Sequence, residues 1–211
     1  IMYALVESGS ITKMLSGKKG ITIGDNQYPK AIFNLWTKSE REAIGIYEVE
    51  MDNSKKKDKQ WYINTNVTYA FGSGKVTGSY GDATAKPHAD TKWTQKEIDD
   101  GDAPDGADTN TVKNEGLKTK LIRDVKAQAN QLLSQTDWYV TRKSEKSTAI
   151  PSNITTWRNG IRSKQAAMET DITNASDTPA LETLYTYVNT ADEGDPVVME
   201  RPIGEFPVLG S

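Results

Sequence analysis

Hydrophobic positions in the first part of the chain follow the short period of β-strands, and turns interrupt them often. Residues 2–15 contain two strand-like runs around Gly9, which can adopt the positive φ that a tight hairpin needs. Residues 46–51 and 61–71 also alternate apolar and polar side chains, as half-buried strands do. We therefore predict a small β-rich domain over residues 1–90.

A short helix is predicted between these strands. Thr37 and Glu40 have the spacing of a capping box, in which each side chain accepts a hydrogen bond from the backbone N–H of the other residue. We expect the helix that follows to end at Gly45, because glycine readily adopts the left-handed conformation of a helix stop.

The segment 91–116 is different in composition. Residues 99–108 are rich in aspartate and glycine and almost free of apolar side chains, which is typical of linkers and long surface loops. We predict an acidic linker or loop over residues 91–116. Its carboxylates could hold calcium, although Pro104 breaks the ligand order of an EF-hand loop. The carboxylates concerned are Asp100, Asp102, Asp105 and Asp108.

After this segment the hydrophobic period lengthens to that of α-helices, and residues 117–190 are predicted to be a helical region. We expect the first helix to end at Asp137-Trp138-Tyr139, and the second and third helices to be capped by Ser152 and Thr178. The first apolar stripe comprises Leu117, Leu121, Val125, Ala129 and Leu132. The second comprises Ile154, Trp157, Ile161, Met168 and Ile172.

Residues 191–211 are predicted to be an extended C-terminal tail, since prolines deny it ladder hydrogen bonds. The fold class expected from the whole pattern is α+β: a small β-rich N-terminal domain, an acidic linker, and a C-terminal helical hairpin with an extended tail. Apolar side chains of the helices and the tail exceed what a small hairpin can bury by itself. They indicate contact with another chain, or else folding back onto the N-terminal domain.

Composition narrows the function classes. The formal net charge is −3, from 26 basic and 29 acidic side chains, so we expect no nucleic-acid partner. No apolar run is long enough to span a bilayer, and we expect no membrane insertion. The absence of cysteine excludes disulfides and thiolate metal sites.

Candidate chemistry is sparse. His88 is the single histidine, and no neighbouring motif supplies the nucleophile and acid that general-base catalysis would need. Gly17-Lys18-Lys19-Gly20 lacks the residue order of a phosphate-binding loop. Aromatic side chains in the strands could stack on sugars, although such residues are more often core or cross-strand pairs. These aromatic residues are Trp61, Tyr62, Tyr69, Phe71 and Tyr80.

One stretch of the helical region carries a resemblance. It contains a Leu132-Leu133 pair, Thr136-Asp137-Trp138, Ile150-Pro151, and then Trp157-Arg158 with Arg162 four residues further on. This pattern resembles the C-terminal helical region of bacteriophage tail and tail-fibre assembly proteins. Residues 2–9 also resemble the start of small tail-associated phage proteins.

The resemblance implies a non-enzymatic role, with no catalytic residue, cofactor or metal. It implies a tail structural protein that connects tail, adaptor or fibre subunits, and the alternatives are a transient tail-fibre assembly chaperone or a glycan-binding receptor-recognition module. The expected partners are other tail proteins (fibre, adaptor or nozzle subunits) and further copies of the chain in a symmetric homo-oligomer. The expected location is the tail of the virion, after synthesis in the host cytoplasm.

The residues expected to contact a partner come from the helices and the tail. We expect Trp138 to dock the end of the first helix against the second, near Trp157 and Ile161. Arg158 and Arg162 lie on one helix face and could bind a carboxylate, either that of Asp137 or one from a partner. The full set of candidate partner-binding residues is Trp138, Tyr139, Trp157, Arg158, Arg162, Ile203 and Phe206.

Overall fold

The computed structural model describes residues 1–210, and it contains both strands (22% of residues) and helices (35%). The predicted α+β class, with strands towards the N-terminus and helices towards the C-terminus, is confirmed. The chain divides into two compact units, Ile1–Thr84 and the remainder from Ala85 onwards. The sequence predicts the first domain to extend to residue 90.

The first unit is built on a five-stranded sheet, in which the order of strands is β2 (Ser10–Leu15), β1 (Tyr3–Glu7), β5 (Ile46–Asp52), β8 (Lys75–Ser79) and β7 (Thr68–Gly72). Its pairs are antiparallel except β5 and β8, which run parallel. The strands of this unit are β1 Tyr3–Glu7, β2 Ser10–Leu15, β3 Ile21–Ile23, β4 Asn26–Tyr28, β5 Ile46–Asp52, β6 Tyr62–Ile63, β7 Thr68–Gly72 and β8 Lys75–Ser79. Its helices are α1 Ile32–Leu35 and α2 Lys38–Ala43.

Both faces of the inner strand β1 are buried, which explains its run of apolar residues. Tyr3 and Leu5 pack with Ile46 and α1 on one face, whereas Ala4 and Val6 pack with Val76 on the other. The hairpin predicted between β1 and β2 is present, with Ser8 and Gly9 at φ +50° and +79°. Positive φ at both positions matches the right-handed twist of the strands.

The predicted capping box of α2 is confirmed. The Thr37 Oγ1 atom accepts from the Glu40 N–H at 3.3 Å, and the Glu40 carboxylate accepts from the Thr37 N–H at 2.7 Å. Gly45 follows the helix at φ +81°, where a Cβ atom would lie 2.6 Å from the Val6 carbonyl oxygen. Only glycine satisfies both the backbone conformation and this close approach.

The strand predicted over residues 61–71 is interrupted in the structure. β6 ends at Ile63, and β7 begins only at Thr68. Between them the Asn64 side chain bonds the backbone N–H and carbonyl of Lys57 at 2.9 and 2.8 Å. These bonds offer the backbone an alternative to the sheet ladder, and the period-2 pattern does not show them.

The second unit is mainly helical. Its helices are α3 Gln95–Asp99, α4 Leu117–Ser134, α5 Asp137–Lys146, α6 Ser152–Asn174 and α7 Thr178–Tyr185. Its strands are β10 Thr91–Lys92, β11 Val112–Asn114, β12 Val188–Asn189 and β13 Met199–Glu200, and β9, Thr84–Ala85, lies at the boundary of the units.

Helices α4 and α6 pack together as the predicted hairpin. On α4, Leu121, Val125 and Ala129 are buried, as expected for the first stripe. All five residues of the second stripe are buried on α6, namely Ile154, Trp157, Ile161, Met168 and Ile172. The spacing of apolar residues therefore identified the face by which each helix packs.

Two predicted helix caps are wrong. Ser152 is the first residue of α6, and Pro151 occupies the cap position without a side-chain bond. Asp177, not Thr178, caps α7 by accepting from the Ala180 N–H at 2.8 Å. The Thr178 hydroxyl instead donates to the Lys86 carbonyl oxygen at 2.6 Å, so a long-range bond takes the side chain that local spacing assigned to the cap.

Residues 91–116, predicted to be a linker or loop, carry structure of their own. β10 and β11 pair antiparallel, and α3 begins with a second capping box, formed by Thr94 and Glu97. A hydrogen bond from Lys113 is the main reason that the pKa of Glu97 falls to about 2. Hydrogen bonds between polar side chains order this segment. The sequence prediction looked for apolar residues, whose near absence indicated a loop.

The N-terminus of α4 is capped from outside the helix. The Gly116 N–H donates to the Asp90 carboxylate at 2.7 Å, as does the Thr119 hydroxyl. The hydrogen bond from the Gly116 backbone holds the pKa of Asp90 below its ordinary value. A Cβ atom at Gly116 would collide with the backbone of Ala89, so glycine permits this approach.

The tail also differs from the prediction of an extended segment. β12 and β13 form a hairpin, and the residues after it pack on the helices of the same unit. Ile203 is buried and its N–H donates to the Leu184 carbonyl at 3.0 Å, while Phe206 packs beside Trp157. The tail thus packs on helices of its own unit, whereas the sequence prediction considered only another chain or the N-terminal domain.

Candidate protein-binding surface on helix α5

The junction between α4 and α5 is held by one buried arginine of α6. Arg158 Nη1 donates to the Leu133 carbonyl oxygen at 2.8 Å and to Thr136 Oγ1 at 2.7 Å. Arg158 Nη2 lies 2.9 Å from Asp137 Oδ1. We call these four residues, Leu133, Thr136, Asp137 and Arg158, the Arg158 corner.

The chemistry of the Arg158 corner follows from the ends of the two helices. The last carbonyls of a helix lack α-helical partners within it. The Leu133 carbonyl accepts from the N–H and hydroxyl of Thr136, each at 3.1 Å, and Arg158 adds a charged donor. A negative charge in the first turn of a helix interacts favourably with the helix dipole, and Asp137 is the first residue of α5. The planar guanidinium serves both groups at once, which a lysine ammonium could not do with the same geometry. Of the two alternatives expected for Arg158, an ion pair with Asp137 or one with a partner, the structure contains the pair with Asp137.

Helix α5 projects an aromatic and cationic surface beyond this corner. The rings of Trp138 and Tyr139 lie 3.8 Å apart between centroids, at 30° between planes. The guanidinium of Arg142 lies over both rings, 4.7 Å from the Trp138 centroid and 5.2 Å from that of Tyr139. Stacking of this kind orients the three side chains, of which Trp138 is exposed and Tyr139 and Arg142 are half-buried.

This surface is open in the chain. α5 has no buried residue, and Trp138 and Val140 are 52% and 44% exposed. Lys143 and Lys146 extend the same side of the helix, at i+4 and i+7 from Tyr139. We define the α5 face as Trp138, Tyr139, Arg142, Lys143 and Lys146.

The other candidate partner-binding residues lie elsewhere. Trp157 and Arg158 are buried, and the Trp157 indole N–H donates to the Pro207 carbonyl oxygen at 2.8 Å. Ile203 and Phe206 pack inside the same unit. Arg162 is exposed on α6 and lines an open groove between α4 and α6. These residues are therefore not brought together on one surface.

The expectation that Trp138 docks the first helix onto the second is wrong. Trp138 lies on a separate helix, α5, in a stretch that the sequence predicts to end α4 and continue as a loop. Thr136, which is 2% exposed, occupies the buried position at the junction instead. A small hydroxyl side chain fits beside the Arg158 guanidinium and bonds to it, whereas an indole ring could not accept that bond.

The remaining candidates from the sequence do not converge on a site. His88 is half-buried, and its carbonyl oxygen accepts from the Lys118 N–H at 2.9 Å. The Asp108 carboxylate accepts from the backbone of Asn110 and Thr111, which closes a turn. Among residues 1–210, no group of three or more histidines or acids is arranged to hold a metal ion.

The aromatic residues of the strands are directed largely to packing. Trp61 and Tyr62 are each only 4% exposed. Phe71 meets Tyr47 edge to face, with 4.8 Å between ring centroids. A sugar would need an open aromatic face, and these side chains offer little of one.

Sequence reasoning missed two surface features. Arg142 belongs to the aromatic stack, and its i+4 spacing from Trp138 was the available signal once the segment is known to be helical. The second feature is the hairpin of β12 and β13, whose large side chains are exposed. Its strands of two residues each are too short for a periodic pattern to reveal.

Comparison with known proteins gives no match for the chain, either among protein-family models or among curated proteins and solved structures. No helix within residues 1–210 combines the length and the apolar character needed to cross a membrane.

Proposed function

We propose that the chain is a non-enzymatic structural protein of a bacteriophage tail, which connects tail, adaptor or fibre subunits through protein–protein contacts. The observation that supports this best is the α5 face. A tryptophan, a tyrosine and an arginine stand together on a helix that buries nothing of its own. These three residue types dominate the binding energy of protein interfaces.

The rigidity of α5 also supports a binding role. Arg158 fixes the first turn of the helix through Asp137, so the α5 face is presented on a braced element and not on a free loop. A partner that binds a preorganised surface loses less conformational entropy than one that must order it first. The energy of the aromatic contacts is then available for affinity.

The residues that carry the phage-tail resemblance divide into two groups. Leu133, Thr136, Asp137 and Arg158 brace the junction of the helices, and Trp157 fills the core. Trp138 belongs to the same stretch, yet it contributes to neither. A role outside the fold, in contact with another tail subunit, accounts for an exposed tryptophan in that position.

Quantitative mass spectrometry of purified phage particles tests the proposal. The expected result is a fixed number of copies of the chain relative to the major tail protein. Recovery of the chain with fibre subunits from infected cells, but not with particles, would instead identify an assembly chaperone. Absence from both fractions would contradict the phage-tail role.

A mutant phage tests the α5 face in particular. Replacing Trp138 and Tyr139 together by alanine is expected to reduce incorporation of the chain into particles and to lower the titre. Leu35→Ala is a matched control, because Leu35 is 79% exposed and lies in the first unit. Equal effects of the two changes would show that the α5 face is not the contact.

A further inference from the structure

A second exposed surface of the same unit is formed by the hairpin of β12 and β13. We call residues 187–200 the acidic arm. Every residue of it except Ala191 is exposed. It contains four acidic side chains, Asp192, Glu193, Asp195 and Glu200, and no basic one.

The acidic arm also displays large apolar side chains. Val197 is 70% exposed, and the strands carry Val188 and Met199 at 48% and 52%. A two-stranded hairpin in water is marginally stable by itself, and contiguous exposed apolar residues mark interaction sites. A surface that complements the acidic arm must therefore be apolar and be surrounded by positive charge.

The arm is ordered by its own polar groups. The Asn189 side-chain oxygen accepts from the Val198 N–H at 3.0 Å and from the Ala191 N–H at 3.2 Å. The Thr190 N–H donates to the Val198 carbonyl at 2.8 Å. At its base, Arg201 pairs with Glu205, which also accepts from the Tyr187 hydroxyl at 2.6 Å. The arm is thus preformed for binding.

The α5 face has the complementary character. Its exposed Trp138 is apolar, and Arg142, Lys143 and Lys146 outnumber the single acid Glu145 in the helix beyond the first turn. The Asp137 carboxylate is already paired with Arg158. Both surfaces remain exposed in the chain, so neither covers the other within one molecule.

We infer that the acidic arm of one copy of the chain packs on the α5 face of a second copy. The inference rests on the proposed function only in taking the α5 face as a protein-binding surface. Because the two surfaces differ, two copies can exchange arms about a two-fold axis and form a closed dimer. Contacts that repeat head-to-tail instead close into a ring or continue as a filament.

Charge reversal on purified full-length chain tests this contact by sedimentation velocity. The wild type is expected to associate as its concentration rises, more strongly at low salt than at high salt. Glu193→Lys with Asp195→Lys is expected to weaken association about tenfold or more, because two lysines then face the basic α5 face and the arm loses its net negative charge. Lys143→Glu with Lys146→Glu is expected to do the same.

An equimolar mixture of these two variants is the decisive sample. The new lysines of one variant then meet the new glutamates of the other, and the unchanged arm meets an unchanged α5 face, so association is expected to return. Asp102→Lys with Asp105→Lys, and Lys18→Glu with Lys19→Glu, are matched controls at exposed positions outside both surfaces. They are expected to associate as the wild type does.

Val197→Ser supplies a test that leaves the charges unchanged, and it too is expected to weaken association. A wild-type chain that stays monomeric, reversals without effect, or a mixture that stays monomeric would each overturn the inference. The outcomes separate it from the phage-tail role. A monomer found stoichiometrically in particles contradicts only the inference, and an oligomer absent from particles contradicts only that role.

Discussion

Helices α5 and α6 follow each other in the chain and are joined by the Arg158–Asp137 ion pair, yet they differ in how far their side chains are buried. α6 has 23 residues and buries a stripe along its length, whereas α5 has 10 residues and buries none. Trp157 on α6 is 7% exposed and Trp138 on α5 is 52% exposed. Residue type alone therefore does not distinguish a core tryptophan from a surface one.

Spacing explains the difference. The apolar residues of α6 recur three, four or seven positions apart, so they share one face and pack on α4. Those of α5, Trp138, Tyr139 and Val140, are consecutive and therefore spread around the helix axis. A single neighbouring helix cannot bury all three.

The largest effect expected from this comparison is that of Trp157→Ala. It removes a buried ring and the hydrogen bond to Pro207, and it should lower the free energy of unfolding by about 3–5 kcal/mol. Trp138→Ala should change it by no more than about 0.5 kcal/mol, because the ring is exposed. Urea unfolding followed by circular dichroism measures both, and equal losses would break the distinction between the helices.

Arg158→Ala tests whether the arginine holds α5 in place where it meets α6. The change leaves the Leu133 carbonyl and Thr136 hydroxyl without their charged donor, and it should cost about 3 kcal/mol. Hydrogen exchange should accelerate in α5 more than in the middle of α6. Arg162→Ala, an exposed change four residues along the same helix, is the control and should cost no more than about 0.5 kcal/mol. Uniform acceleration of exchange would show that the corner does not brace α5 specifically.

Asp90→Asn has the smallest expected effect and tests how α4, the helix on which α6 packs, is capped. Folding lowers the pKa of the Asp90 carboxyl, so the ionised form of Asp90 stabilises the folded chain above the ordinary carboxyl pKa of about 4. The variant should lose about 1 kcal/mol at neutral pH. The difference in free energy of unfolding between wild type and variant should shrink as the pH falls through the lowered pKa of Asp90. Urea unfolding at several pH values measures this difference, and a difference independent of pH would contradict the role of the charge.

The parts of the fold that follow local or periodic rules were predictable from the sequence. The stripe of α6, the capping box of Thr37 and the hairpin at Gly9 each depend on residues close together in the chain. The ion pair of Arg158 with Asp137 was also predictable, because motif residues of opposite charge stood on two predicted elements.

The features that were missed depend on distant partners or on polar bonds. Thr178 bonds to Lys86 instead of capping its own helix, and Asp90 caps a helix that begins at residue 117. For the candidate surface, the sequence pointed to Trp138 and Tyr139 but not to their helix. The polar residues that follow them, from Thr141 to Lys146, carry no apolar period that marks a helix.

The bond between Asp90 and Gly116 has a consequence for how this protein can change. It brings together the two ends of residues 91–115, which form their own strand pair and short helix and bury no side chain. The segment therefore adds nothing to the buried core, although Glu115 at its end pairs with Arg123 of α4 at 2.9 Å. Evolution, or an engineer, can exchange such a module for a tag, a longer loop or a new binding element, provided that the aspartate and the glycine at its base are kept.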